Sequence, residues 1–212
     1  MFSEAQQWQQ FVTALQTDIL PIYAQHEDEF DYPRIHGRLH ICRSIILAEC
    51  MATLYSEFAS VDRFAIWYAV AFHDSGRQGN GIDVWEADSA ANCYTYLQQK
   101  LLIDQPRAQY ISQFIVKKET LVDINEQITH DADVLEIMRL TGIKGFKPFY
   151  LQFGKDFPAL RELKETLINE AWQLIDISEQ IKGRLSPSTY LQDLIILAQA
   201  YPLLASNLNF VT

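Results

Sequence analysis

The sequence predicts an all-α protein, a single compact helical fold, and three observations carry that expectation. Apolar residues recur every three or four positions along most of the 212 residues. No stretch alternates apolar and polar side chains over the length of a strand. Only 8 glycines and 7 prolines occur, with no repeat or flexible linker between periodic segments. A hydrophobic content of 49% is ample for one continuous core, so residues 1–212 are expected to form one domain.

Ser3 is a plausible N-cap for a first helix through Phe11, Leu15 and Ile19, which Pro21 should bend or interrupt before an acidic, solvated loop at Glu27-Asp28-Glu29. Pro33 and Gly37 mark a turn, after which a long buried helix runs from near Leu39 to about Tyr55. A third helix, from Val61 to about Asp74, carries Phe64, Trp67, Tyr68 and Ala71 on one face and stops at the breaker cluster Gly76, Gly79, Asn80 and Gly81.

Trp85-Glu86-Ala87-Asp88-Ser89 opens a helix to Leu97, and Pro106 opens another through Ile115. A further helix spans roughly Asn125 to Leu140 and ends before Gly142. Lys144 to Phe149 reads as an irregular connection. Pro158 starts a long amphipathic helix to about Lys182-Gly183, and a last helix covers about Thr189 to Ala200. The helical extension 158–212 is free to complete the core, shape a pocket or form a homodimer face.

A formal net charge of −10 repels a polyphosphate backbone, which argues against general nucleic-acid binding. The N-terminus lacks a basic n-region and an apolar h-region, and no stretch is long and apolar enough to span a bilayer, so the expected location is cytoplasmic. Cys42, Cys50 and Cys93 have neither metal-knuckle nor redox-pair spacing and read as reduced packing residues.

Three of five histidines, His36, His40 and His73, stand beside residues suited to divalent-metal chemistry. Imidazole and carboxylate together suit Mn, Fe, Co, Ni or Zn, with Mg also admissible. His73-Asp74 ends an apolar helix and is followed by Ser75-Gly76-Arg77; alone, such a pair is as consistent with a C-terminal histidine on the helix dipole as with a metal site.

In sequence order, Leu39-His40-Ile41-Cys42-Arg43-Ser44, then Ala71-Phe72-His73-Asp74-Ser75-Gly76-Arg77, then Asp131-Ala132-Asp133-Val134-Leu135 resemble the H, HD and D motifs of the HD superfamily of metal-dependent phosphohydrolases. The resemblance covers about 36–140. It implies a helical HD-type core and a metal held by His40, His73, Asp74 and a final aspartate, with a metal-activated water attacking phosphorus. Asp131 and Asp133 would point to nearly opposite sides of one helix, and periodicity does not choose between them; the family's Ala-Asp-x-Leu pattern selects Asp133.

No histidine lies between His73 and His130, which favours one metal over two, and no GYP element of the cyclic-di-GMP phosphodiesterase branch is present. Instead, Gly79-Asn80-Gly81-Ile82-Asp83-Val84-Trp85-Glu86-Ala87-Asp88-Ser89-Ala90, together with the stretch from His36-Gly37 to His40, is similar to the phosphodiesterase domains of SidE-type bacterial effectors, which act on ADP-ribosylated ubiquitin. In those domains the resemblance implies a histidine in place of the last metal-binding aspartate, whereas this chain keeps Asp133.

Glu86 and Asp88 are candidates for acid–base work or ribose contacts, and equally for capping a helix start. Arg77, Arg43 and Arg139 are candidates for phosphate, whose oxygens match the planar guanidinium; Arg43 is equally suited to bracing a helix. His36 and His130 are candidates for substrate or outer-shell contacts, or ordinary loop and surface histidines, and His26 reads as surface. Lys117-Lys118, Lys144 and Lys147 read as solvated, and Trp85, Phe72 and Tyr32 are available to line a base or sugar pocket. The expected function is metal-dependent hydrolysis of a phosphomonoester or phosphodiester in a small nucleotide-like substrate. The alternatives are a phosphodiesterase acting on ADP-ribosylated protein such as modified ubiquitin, and a non-catalytic nucleotide-binding module.

Overall fold

The apolar run from Leu39 to Tyr55 sets the centre of the molecule. A computed structural model describes residues 3–81, 84–116 and 121–208. In it this run becomes α3 (Arg38–Ser56), nearly every residue of which is buried, so the helix must be covered on all sides. The described residues are all-helical with turns and connections, as the periodicity demands. None of these helices is long and apolar enough to cross a membrane. Ile82, Asp83, Lys117 and Lys118 lie outside the described residues.

α1 (Glu4–Ala14) begins with a capping box in which Ser3 and Gln6 satisfy each other's backbone amides. The interruption expected at Pro21 is present, but helix resumes after it where a loop was expected. The chain widens into a π turn over Leu15–Ile19 and continues as α2 (Leu20–Glu29), which places the proline at the start of a new helix, where its missing N–H costs little. Glu27-Asp28-Glu29 is therefore helical, not a solvated loop. Glu27 is buried and accepts the Arg38 backbone N–H at 2.7 Å and its guanidinium at 2.7 Å. His26, expected at the surface, is likewise buried.

α4 (Arg63–Phe72) is capped by Asp62, packs on α3 and delivers His73-Asp74 at its C-terminal end. α5 (Glu86–Gln99) and α6 (Gln105–Ser112) follow the glycine turn. The helix expected from Asn125 to Leu140 turns at Ile137 into α7 (Ile124–Glu136) and α8 (Met138–Gly145). The apolar spacing runs through this turn, which is why it was not visible in the pattern. α7 packs across both α3 and α4, so the three motif-bearing helices form one tightly packed group.

α9 (Pro158–Ile181), α10 (Tyr190–Ala198) and α11 (Pro202–Asn207) close over α3. The last helix expected from the sequence ends at about Ala200, and none is expected for α11. Its start is capped from a distance: Glu170 on α9 accepts the amides of Leu203 at 2.8 Å and Leu204 at 3.0 Å.

Candidate metal and phosphodiesterase centre

His40 lies in the first turn of α3, His73 caps the end of α4 with Asp74 next to it, and Asp133 lies on α7. Packing of these helices brings the four side chains to one point. The Nε2 atoms of His40 and His73 are 3.0 Å apart. Asp133 Oδ1 is 3.5 Å from both, and Asp74 Oδ2 is 3.4 Å from His40 Nε2 and 3.5 Å from His73 Nε2.

The other ring nitrogens are engaged. His40 Nδ1 meets the Glu136 carboxylate at 2.6 Å, and His73 Nδ1–H donates to the Val70 carbonyl at 2.7 Å. With both Nδ1 atoms as donors, both Nε2 lone pairs point into the same gap, an arrangement that requires a proton or a cation between them. Donors about 2.1 Å from one ion and at right angles to each other are roughly 3.0 Å apart, so these residues fit a divalent transition metal. Two triplets, His36/His40/Asp74 and His40/His73/Asp133, each hold their donor atoms within 4.8 Å of one another and share His40.

The electrostatics agree with a cation-seeking site. Burial lowers the affinity of His73 for a proton, but Asp74 and Asp133 outweigh it and raise this imidazole to about 10. Burial opposes ionisation of Glu136 as well, yet His40, Arg43 and Arg139 hold its carboxyl down to about 2. Asp74 is held well below the usual carboxylate range, against its own burial, by His73, His36 and His40.

His36 arrives from the loop before α3, since Gly37 is the helix N-cap and the two histidines do not share a helical face. Its Nδ1 meets Asp74 Oδ2 at 2.8 Å, with the side chain 22% exposed. Two buried acids set this loop: Asp31, which the sequence reading did not single out, and Glu27, which it read as solvated. Asp31 accepts the amides of Ile35 and His36, both at 2.8 Å, and Glu27 holds Arg38. Arg139 ties the carbonyl of Ile35 to Glu136.

The geometry chooses between the two aspartates. Asp131 is buried at 1% exposure, its Oδ1 accepting the Gln152 amide at 3.0 Å and His130 Nδ1 at 2.9 Å; Asp133 is the one at the cluster. Glu136, one turn past Asp133, is the residue that sequence reasoning missed. Its signal was the i+3 spacing from a ligand, the position of a carboxylate able to orient a neighbouring imidazole.

The arginines are turned inward. Arg43 is 1% exposed and is spent on Glu136, Glu179 and Ser178, so it braces α3, α7 and α9 and offers no fork to a substrate. Arg77 holds the second oxygen of Asp74 at 3.3 Å, donates to the Gly81 carbonyl at 3.3 Å and lies over the Trp85 ring. Arg139 is committed to Glu136 and Ile35. Phe72, expected as a pocket wall, is core and packs against Tyr96, while Tyr32 is exposed.

The start of α5 is pressed against the turn after Asp74. A Cβ on Gly76 would stand 2.4 Å from the Ser89 nitrogen and 2.6 Å from the Asp88 Cβ, and the Gly76 amide donates to Ser89 Oγ at 2.9 Å. Half-buried Glu86 and exposed Asp88 are thereby held beside the Asp74 turn. The three cysteines are buried thiols outside the site; burial pushes Cys42 up to about 12.

The described residues thus form an all-helical fold that gathers two histidines and two aspartates around one point, a donor set able to hold a divalent metal. The chain belongs to the SidE phosphodiesterase (PDE) domain family, whose pattern matches residues 10–186. No curated protein and no solved structure gives a match.

Proposed function

We propose that this chain cleaves a phosphodiester in a nucleotide-like substrate at an HD-type centre in which His40, His73, Asp74 and Asp133 hold one divalent transition metal. The observation that carries the proposal is the 3.0 Å approach of the two Nε2 atoms, each with its Nδ1 already engaged. Held by these residues, a divalent ion would lower the pKa of a nearby water toward neutrality and offset charge on the phosphate oxygens.

The chain's own residues do the rest. Glu136 and the Val70 carbonyl fix the two imidazoles, and Arg77 fixes Asp74. His36 donates its Nδ1–H to Asp74, which leaves Nε2 on the partly exposed edge of the ring to move a proton to or from water or the leaving group. Glu86 and Asp88 supply further carboxylates for the same task or for a ribose. His130, oriented by Asp131, lies along α7 from Asp133 and is available to a substrate beyond the metal ligands.

A second substrate, an ADP-ribosylated protein such as modified ubiquitin, is favoured by membership of the SidE phosphodiesterase family. The test assays purified protein on nucleotide diesters and on ADP-ribosylated ubiquitin, stripped of metal and with Mn, Ni or Co restored. We expect metal-dependent diester cleavage, abolished in Asp133→Ala. Tight nucleotide binding without turnover on any substrate would mean a binding module instead.

A further inference from the structure

Beside Asp133 the structure holds a cavity of about 330 Å³ between α7 and the connection from Gly145 to Tyr150. Val134 on α7, Ile137 at the turn into α8 and the rings of Phe146 and Tyr150 give it apolar walls, and His130 and Lys147 add polar groups. On α7, His130 and Val134 are one turn apart and lie on either side of Asp133, the carboxylate that faces His40 and His73, and Ile137 at the helix end continues the cavity wall. The aromatic segment is open to solvent. Phe149 and Tyr150 are 70% and 53% exposed, and their ring centroids lie 4.2 Å apart.

We propose that this cavity is the subsite for a planar heteroaromatic base on the substrate, and that Phe146 and Tyr150 set the preference for it. The inference rests on the functional reading above and adds where the base goes. Three features select this occupant. The volume is at the small end of the range of small-molecule sites, enough for a base with part of a sugar and too little for a packed helix. Flat aromatic walls stack on any base face, and His130 and Lys147 suit the polar edges of a heterocycle. Two residues of the cavity wall, His130 and Val134, also flank Asp133 on α7, which puts the cavity next to the proposed metal ligands.

The test is equilibrium dialysis of the full chain against AMP and ribose 5-phosphate, which differ by the base alone. Wild type is expected to bind AMP at least tenfold more tightly than ribose 5-phosphate. Tyr150→Ala and Phe146→Ala should each weaken AMP about tenfold and leave ribose 5-phosphate unchanged, as loss of one stacking ring implies. Because Phe146 also packs inside the protein, Ile137→Trp provides a variant that fills the cavity without removing a side chain, and it should abolish the preference. Equal binding of the two probes, or AMP binding unmoved in Tyr150→Ala and Ile137→Trp, would overturn the proposal. An AMP preference that these variants remove, in a protein that cleaves no diester, would leave the subsite standing and remove the functional reading; diester cleavage without an AMP preference would do the reverse.

Discussion

His40 and Glu136 form a buried hydrogen bond of 2.6 Å between the first turn of α3 and the last turn of α7, 96 residues apart in the chain. The same carboxylate receives Arg43 and Arg139, so one acid orients a candidate ligand, braces the helix that bears it and anchors the loop that carries His36.

Replacing that acid should therefore act on chemistry and stability together. Glu136→Gln keeps the shape but loses the charge that orients His40, and we expect metal affinity and turnover to fall about 10- to 100-fold. Glu136→Ala also takes one of two carboxylates from the buried Arg43, which keeps Glu179 and Ser178, and should cost about 1–3 kcal/mol, read by denaturant unfolding. A Glu136→Gln protein with wild-type metal affinity would show that the bond is only structural.

Asp31 positions His36 through the backbone, accepting the amides of Ile35 and His36. Asp31→Ala leaves two amides without their acceptor at a cost of about 1–3 kcal/mol each. Turnover should drop while metal content stays near that of wild type, because His40, His73 and Asp133 do not depend on this loop. Loss of bound metal in Asp31→Ala would contradict that division of labour.

Gly76 has no room for a side chain between the Asp74 turn and α5. Gly76→Ala must push the start of α5 outward, and overpacking of this kind costs typically about 1–3 kcal/mol. The expected result is a lower thermal midpoint and a reduced turnover, since Glu86 and Asp88 move with the helix.

Glu49 is buried on α3 with Arg63 and, at 2.7 Å, Trp67 Nε1 as donors, yet burial dominates and raises its carboxyl from the usual 4.5 to about 7. A folded-state value above the unfolded one means that this group's contribution to stability is complete below about pH 4.5 and is lost as pH rises to about 7. The loss is on the order of 2–3 kcal/mol. Unfolding free energies of wild type minus Glu49→Gln should fall across that window; a flat difference would show Glu49 ionised throughout.

The helices were legible because their apolar spacing is strongly periodic, whereas the proposed ligand set came from the resemblance to the H, HD and D motifs; the fold brings those four side chains together. Asp131 and Asp133 could not be separated by periodicity, since apolar neighbours flank both; the resembled family's pattern selected Asp133, and the tertiary partners, the Gln152 amide for one and the imidazoles for the other, agree with it. The partners of the arginines were hidden for the same reason, and of the two readings open for Arg43 the structure shows the brace. A guanidinium near a ligand in sequence looks like a phosphate fork until its carboxylates arrive from elsewhere, as Glu136 and Glu179 do for Arg43. Glu27 and Asp31 lie in an acidic, proline-containing stretch that looks solvated, yet both are buried because the backbone amides they hold are far stronger partners for them than their sequence neighbours.

The central claim is that His40, His73, Asp74 and Asp133 hold a metal that the phosphodiesterase reaction uses. Its most direct test is elemental analysis of purified wild type beside His73→Ala, followed by diester turnover with Mn, Ni or Co added back. The account predicts about one equivalent of transition metal in wild type, lost in the variant, with turnover restored to stripped wild type by metal alone. Metal-free wild type that cleaves a diester at full rate in the presence of a chelator would contradict it.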